Sequence, residues 1–459
     1  MSEQGLRLAR EAMEAAGVHP RAIDVFTHYY RELERGATGL IAEADIEPLT
    51  DLPRTSDIDV SSEDARNALS RTAVLKLNGG LGTSMGMDRA KSLLSVRDGL
   101  TFLDIIVGQV MHLREQYDVR LPLLFMNSFR TRDDTLAALK AYPDLSVHGL
   151  PLDFVQNREP KLRADDLTPV EWPADPELQW CPPGHGDLYT ALEVSKVLQE
   201  LIDAGFRYAT VSNSDNLGVV PDPAIAGWFA ASGAPYAAEV ARRTPSDRKG
   251  GHLAVRRSDG QLILREGAQT AEEDRDAFAD EKRHAYFHTN NLWFDLWVLA
   301  DTLRARQGVL GLPLIRNLKT VDPADPTSPK VVQIETAMGA AIEVFPGATA
   351  LEVERSRFLP VKTTNDLLLL RSDLYDLRPD FQLVRTTERT PVVELDPAYY
   401  KTIDAFAGRF PAGVPALREA ESLTVRGDWT FGADVRVVGA AVLDDAGTPE
   451  RIADGTVLS

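Results

Sequence analysis

The feature that most constrains this chain is an apolar run that breaks abruptly into glycines. Ala73–Leu77 (AVLKL) has the character of a buried strand. It empties into Asn78-Gly79-Gly80, then Gly82 and Gly86, before a lysine at Lys91. Glycines let a backbone adopt positive φ and approach a ligand closely, so that successive N–H groups can face an anion. The spacing fits neither a Walker loop nor a GxGxxG dinucleotide turn. Taken alone, the segment is equally compatible with a plain connection in an α/β sheet.

The rest of the chain supplies the sheet. Leu121–Met126 (LPLLFM) and Ala209–Ser212 (ATVS) are further buried-strand candidates. Between them, Phe102, Ile106, Val110 and Leu113 share one helical face, and Ala191, Val194, Leu198 and Ile202 share another, with Gly205 where a helix would stop. Strands alternating with helices predict an α/β fold with a mostly parallel sheet flanked by helices, its ligands bound outside the carboxyl ends of the strands. The 459 residues exceed one ordinary core. Residues 1–70 read as a helical segment and connector, 71–375 as the α/β body, and 376–459 as a distinct C-terminal part. In that last part Gly427, Gly432 and Gly439 interrupt β-rich pieces at spacings loosely compatible with the coils of a small β-helix.

Composition narrows the function classes. The net charge of −19 argues against a general nucleic-acid binder, which needs a basic surface. It leaves nucleotides and sugar phosphates open, because a few local cations and backbone N–H groups suffice to hold a phosphate. No apolar run nears the roughly 18 residues of a membrane span, and the N-terminus lacks the pattern of a secretory signal. A single cysteine, Cys181, excludes a disulfide framework within the chain and a four-cysteine zinc site. A reducing cytoplasm is the expected setting.

Four further segments carry chemistry-bearing residues. Trp180–Asp187 (WCPPGHGD) is a stiff loop that places His185 near the start of a helix. After strand 209–212, Asn213-Ser214-Asp215-Asn216 puts a carboxylate where Mg²⁺, a hard cation taking oxygen ligands, could bridge substrate phosphates; a turn or helix cap is the plain alternative. His288–Trp293 (HTNNLW) sets two amides, Asn290 and Asn291, before an apolar run. Amides can read sugar hydroxyls, but turn formation is their default use. Phe358–Asp366 (FLPVKTTND) presents Lys362 in a β-like stretch, a point charge suited to a polyphosphate or to plain solvent.

In order along the chain, KLNGGLGTSMG, LLFMNSFRT, PPGHGD, VSNSDNLG, HTNNLW, VVQIETAMGAAI and SRFLPVKTTNDLLL resemble the UTP–glucose-1-phosphate uridylyltransferases of the eukaryotic type, from about residue 70 to the C-terminus. The resemblance implies a glycosyltransferase-A-like catalytic domain followed by a C-terminal left-handed β-helix. It implies that Leu77, Asn78, Gly79 and Gly80 line UTP, that Lys91 and Lys362 meet its phosphates, and that Gln156 and Gly184 contact the uracil. Asn213 and Asp215 would flank ribose, sugar and Mg²⁺, with Asp215 the metal ligand. His185, Asn290, Asn291 and Lys319 would serve the sugar phosphate. Lys362, Lys91 and Asp215 form the implied catalytic set. The reaction implied is Mg-dependent in-line displacement at the α-phosphorus of UTP by glucose 1-phosphate. The alternatives are another sugar 1-phosphate as acceptor, or a non-catalytic nucleotide-sugar sensor. The expected partners are these small molecules, with no nucleic acid or membrane, and a homo-oligomer formed through the β-helix. Three departures stand out: Met87-Asp88-Arg89-Ala90 where the family has Cys-Lys-Gly-Pro, Leu318 for a proline, and His288 for an asparagine.

Overall fold

The computed structural model describes residues 2–147, 149–244 and 247–459. Its centre is a ten-stranded sheet built from β1 (Ile46–Pro48), β2 (Thr72–Asn78), β3 (Leu123–Asn127), β4 (Asp153–Val155), β5 (Tyr208–Asn213), β6 (Tyr236–Arg242), β7 (His252–Arg256), β8 (Leu262–Arg265), β9 (Tyr286–Asp295) and β10 (Thr349–Glu352). Besides β6, which pairs parallel with β10, four adjacent strands run parallel: β5 beside β2, β2 beside β3 and β3 beside β4. Their register brings the carboxyl ends together, with Asn213 opposite Leu77, Asn78 opposite Asn127, and Asn127 opposite Val155.

The expected mostly parallel sheet is therefore only half of what forms. β9 runs antiparallel to both β5 and β6, and β7 pairs antiparallel with β1, β8 and β9. The physical reason lies in β9: ten residues long and buried along almost its whole length, it is a central strand that needs a partner on each edge. The sheet is mixed.

Local expectations mostly hold. Phe102–Tyr117 is a helix, opened by a capping box between Thr101 and Asp104. The expected helix through 191–202 is two, Leu188–Val194 and Val197–Asp203, because Lys196 takes a positive φ of 68° between them. The β3 strand starts two residues later than expected, since Leu121 has positive φ and Pro122 cannot donate to a ladder.

The N-terminal helices Ser2–Ala15 and Pro20–Glu34 pack on a small sheet of Leu162–Arg163, Ile315–Thr320 and Lys330–Glu335, burying Phe26, Tyr30, Leu162, Val332 and Ile334 together. Tyr375–Leu377 and Leu383–Arg385 form an antiparallel pair, and from residue 392 onward the strands pair parallel: Val392–Leu395 with Ala416–Val425, that strand with Arg436–Leu443, and Trp429–Phe431 with Glu450–Ile452. Leu423, Val425, Phe431 and Val437 join the same apolar core as Phe102 and Val110 of the α/β body. Among the described residues, no helix is long and apolar enough to cross a membrane.

Candidate functional site

The glycine loop, Gln156 and Asp215 follow the carboxyl ends of the parallel strands. The Asn78 side chain donates to Asn127 Oδ1 (2.8 Å) and Thr135 Oγ1 (2.9 Å) and accepts the Ser214 hydroxyl (2.9 Å). Its amide is thus engaged in fixing three neighbouring segments at the rim, while Leu77 contributes a carbonyl that accepts the Ser214 N–H (3.0 Å). The chain then leaves the sheet through Gly79 and Gly80. A Cβ at Gly79 would lie 2.9 Å from Gln156 Oε1, so a larger residue there would push the Gln156 amide aside. The loop closes where Lys91 N–H donates to the Gly80 carbonyl (3.1 Å). Of the departures in this loop, Asp88 is exposed and Ala90 fully buried.

One wall is a cavity of about 360 Å³ whose lining includes Gly79, Ser128, Gln156, Lys161, Lys319 and Gln333. Gln156 continues from β4; its N–H donates to the Asn127 carbonyl (2.8 Å) and its amide to the Gly184 carbonyl (3.0 Å). Gly184 has φ of 80° and lies against residue 336, where a Cβ would be 2.5 Å from the Thr336 carbonyl oxygen. Lys319 donates to Gln333 Oε1 (3.0 Å) and Glu335 Oε1 (3.3 Å), so it shares the cavity of Gly79 and Gln156. Leu318 beside it is exposed.

Next to Gly184, the His185 Nδ1 accepts the Met338 N–H (3.0 Å). Burial lowers its pKa, with Glu335 pulling the other way, so the ring works as a neutral acceptor. The residues after Met338 lead to β9: a Cβ on Gly339 would touch the His288 ring. His288 Nδ1 in turn lies 3.2 Å from both the N and the Oδ1 of Asn290. Burial lowers the His288 pKa to about 4.

Opposite these residues, Asp215 follows Asn213, the last residue of β5. Asp215 Oδ2 accepts Lys91 Nζ at 2.7 Å, and that ammonium also donates to the Val361 carbonyl. Val361 N–H donates to the Asp215 carbonyl (3.2 Å), and Asn216 bridges Pro360. Lys362 is therefore held one residue from this junction, exposed, with its own N–H and that of Thr363 capped by Asp366. Lys91 and Asp215, 124 residues apart, thus meet, and the Val361 carbonyl that Lys91 also reaches sets the backbone of Lys362 one residue away.

The HTNN segment corrects the expectation of a turn. Asn290 and Asn291 lie inside β9, at a bulge where the partner register slips between Glu239 and Val240 and Asn290 takes φ of 60°. Asn291 is fully buried, and its amide donates to Glu239 Oε2 (3.3 Å) and the Arg357 carbonyl (3.4 Å). Sequence reasoning missed the residues behind it: Glu239, Arg357, Asn216 and Lys76. The signal for Glu239 was present, a lone carboxylate inside the apolar run YAAEVA of β6. Burial lowers the Lys76 pKa to about 7, with Arg357 adding to that effect and Glu239 opposing it.

No cluster of three or more His, Cys, Asp or Glu among the described residues could cage a metal ion. One carboxylate whose only side-chain hydrogen bond among the described residues is to an ammonium does suit a cation that arrives on a polyphosphate and keeps several waters, as Mg²⁺ does.

Residues 23–437 match the family described as UTP--glucose-1-phosphate uridylyltransferase. An enzyme of that name from Astragalus penduliflorus is 40% identical over 405 residues, covering 87% of this chain and 83% of the relative. Among solved structures, UDP-glucose phosphorylase from Trypanosoma brucei superposes with a TM-score of 0.92 at 43% identity, covering 99% of this chain and 98% of the other. A mutant of UDP-glucose pyrophosphorylase from Leishmania major, in complex with UDP-glucose, gives 0.92 at 41% identity, with 99% and 98% covered.

Proposed function

Because the chain belongs to the UTP--glucose-1-phosphate uridylyltransferase family, its reaction is transfer of the uridylyl group of UTP to glucose 1-phosphate, and we propose that the cleft above performs it as follows. The Gly79–Gly80 backbone, Gln156 and Gly184 take the uracil, whose edge needs both a donor and an acceptor. Asn213 flanks the ribose. His185, Asn290 and Asn291 hold the sugar phosphate, and Lys319 adds positive charge at the base-side wall.

Both reactants are anions, so the protein's task is to align them and spread charge. A phosphate oxygen of the sugar phosphate attacks the α-phosphorus in line with the departing pyrophosphate. Lys91 and Lys362 neutralise the triphosphate from either side of Asp215. Mg²⁺ held by Asp215 would supply further charge neutralisation on the phosphates. No nucleophilic side chain is required.

The observation that carries this reading is the meeting of Lys91, Asp215 and the Val361 carbonyl, next to Lys362, where the glycine loop closes. Release of pyrophosphate from UTP, followed with and without Mg²⁺ and with glucose, galactose and N-acetylglucosamine 1-phosphates, tests it. Turnover without divalent cation removes the metal assignment, and preference for another sugar removes the acceptor. Three finer readings belong to the same proposal: a left-handed winding of the parallel coils after residue 392, assembly of copies through that region, and a cytoplasmic setting.

A further inference from the structure

Asp187 closes the PPGHGD motif and has no role in the chemistry above. It stands at the N-cap of helix Leu188–Val194, where aspartate ordinarily bonds the first free N–H groups of its own helix, yet it makes no such bond. Its carboxylate turns instead to another loop. Oδ2 accepts the main-chain N–H of Asn157 at 2.6 Å, and Oδ1 accepts the Asn157 side-chain amide at 2.9 Å. The residue is 5% exposed. A carboxylate is costly to bury, and here its two oxygens are spent on one neighbouring residue.

That neighbour follows Gln156. Gln156 is already held by the Asn127 carbonyl and reaches Gly184 O at 3.0 Å, and its Oε1 lies 2.9 Å from where a Cβ on Gly79 would be. Two residues before Asp187, His185 is tied to the Met338 N–H. The strand exit at 156–157 and the loop at 184–187 are thus clamped by Asp187 on one side and by Gln156–Gly184 on the other. We propose that Asp187 is a positioning residue for the base: acting through Asn157, it fixes the separation between Gln156 and Gly184 and so sets selection of the nucleotide. The inference rests on the assignment of Gln156 and Gly184 to uracil.

The test uses Asp187→Asn in the full chain. An amide here keeps one acceptor but turns an NH₂ toward the Asn157 donors, removing one bond without changing size. Losing one such bond predicts a KM for UTP raised about five- to tenfold, a preference for UTP over CTP reduced by a similar factor, and kcat at saturation nearly unchanged. Asn157→Ala should shift both in the same direction and more weakly, because it leaves the charged carboxylate on the main-chain N–H and sets no donor against a donor. The double variant should fall short of the two effects combined. A lower melting temperature with KM and the UTP-over-CTP preference intact makes Asp187 purely structural and overturns the proposal. Gln156→Ala measured alongside separates the two layers. If it abolishes the preference while Asp187→Asn leaves it intact, only this inference falls. If it leaves the preference intact, the base assignment falls and takes this inference with it.

Discussion

Two acid–base pairs stand a few residues apart in this protein and do opposite work. Glu239 and Arg357 meet through two contacts, 2.7 Å and 2.8 Å, and the same carboxylate accepts Trp293 Nε1 at 3.0 Å and the Asn291 amide at 3.3 Å. Burial alone would raise the Glu239 pKa, but Arg357, Trp293 and Asn291 hold it below its ordinary value. Lys91 and Asp215 meet through one contact of 2.7 Å, with both side chains partly open. Glu239 comes from β6 and Lys91 from the glycine loop, but the segments that carry Asp215 and Arg357 are joined directly, because the Asn216 amide donates to the Arg357 carbonyl at 3.1 Å. The saturated carboxylate has its oxygens spent on Arg357, Trp293 and Asn291, and so ties β6 and β9 to the segment of Arg357. The unsaturated pair keeps coordination capacity free, partly open to solvent beside the glycine loop.

The sharpest way to break this contrast is to remove one member of the saturated pair. Glu239→Ala leaves a buried guanidinium without its partner, and breaking a buried pair in this way costs about 3–5 kcal/mol. Urea denaturation should show a loss of that size, with kcat per folded molecule less affected than in the variants that follow. A loss of activity without a loss of stability would assign Glu239 to the chemistry.

The open pair should respond the other way. Asp215→Ala and Lys362→Ala should each lower kcat by about a hundred- to a thousandfold, on the order of 3–4 kcal/mol, as loss of a preorganised electrostatic contact does. Stability should hardly change, and Lys362→Ala should lower kcat more than it weakens UTP binding. Mg²⁺-dependent UDP-glucose synthesis and UTP affinity, measured on folded variants, check this. If either keeps more than about a third of parental kcat, far from that hundredfold loss, its charge lies outside the reaction.

The same contrast explains what was legible in the sequence. The open site announced itself: β2 running into Asn78-Gly79-Gly80, the stiff loop around His185 and the acid after β5 are local patterns, so strand end and candidate residue could be read together. Of the saturated pair only Glu239 left a local mark, a lone carboxylate in an apolar run, and its pairing could not be read because it is long-range. Nothing near Asn291 says that its amide will be satisfied by Glu239, 52 residues earlier, so turn formation was the sensible expectation and central strand the outcome. The position of Lys362 depends likewise on the bridge between Asn216 and Pro360, and the mixed sheet on β9 accepting partners at both edges. What escaped was pairing across the chain.

A smaller effect concerns the base-side wall. If Gln156 and the Gly79 backbone read the uracil, a purine leaves their polar groups unmatched, at about 1–3 kcal/mol each, so UTP should exceed ATP and GTP roughly ten- to hundredfold in kcat/KM. Comparable efficiencies with all three would remove the uridylyl specificity from this wall while leaving the Lys91–Asp215 comparison untouched.

The smallest expected effect probes the open pair directly. Lys91 occupies the carboxylate proposed to hold Mg²⁺, so a free cation must compete with an ammonium for Asp215. A partly exposed pair with one contact is worth about 1 kcal/mol at most. Lys91→Met keeps the aliphatic stem and removes the competitor, and should tighten binding of free Mn²⁺, without nucleotide, by about two- to fivefold. The same variant should lose turnover, because the ammonium is also proposed to meet the triphosphate. Electron paramagnetic resonance of Mn²⁺ reads the first change independently of activity, and Asp215→Ala supplies the baseline with the carboxylate gone. Unchanged or weaker Mn²⁺ binding in Lys91→Met would mean that the pair does not guard the metal position. Lys91 would then hold Asp215 as rigidly as Arg357 holds Glu239, and the distinction between the two pairs would reduce to exposure.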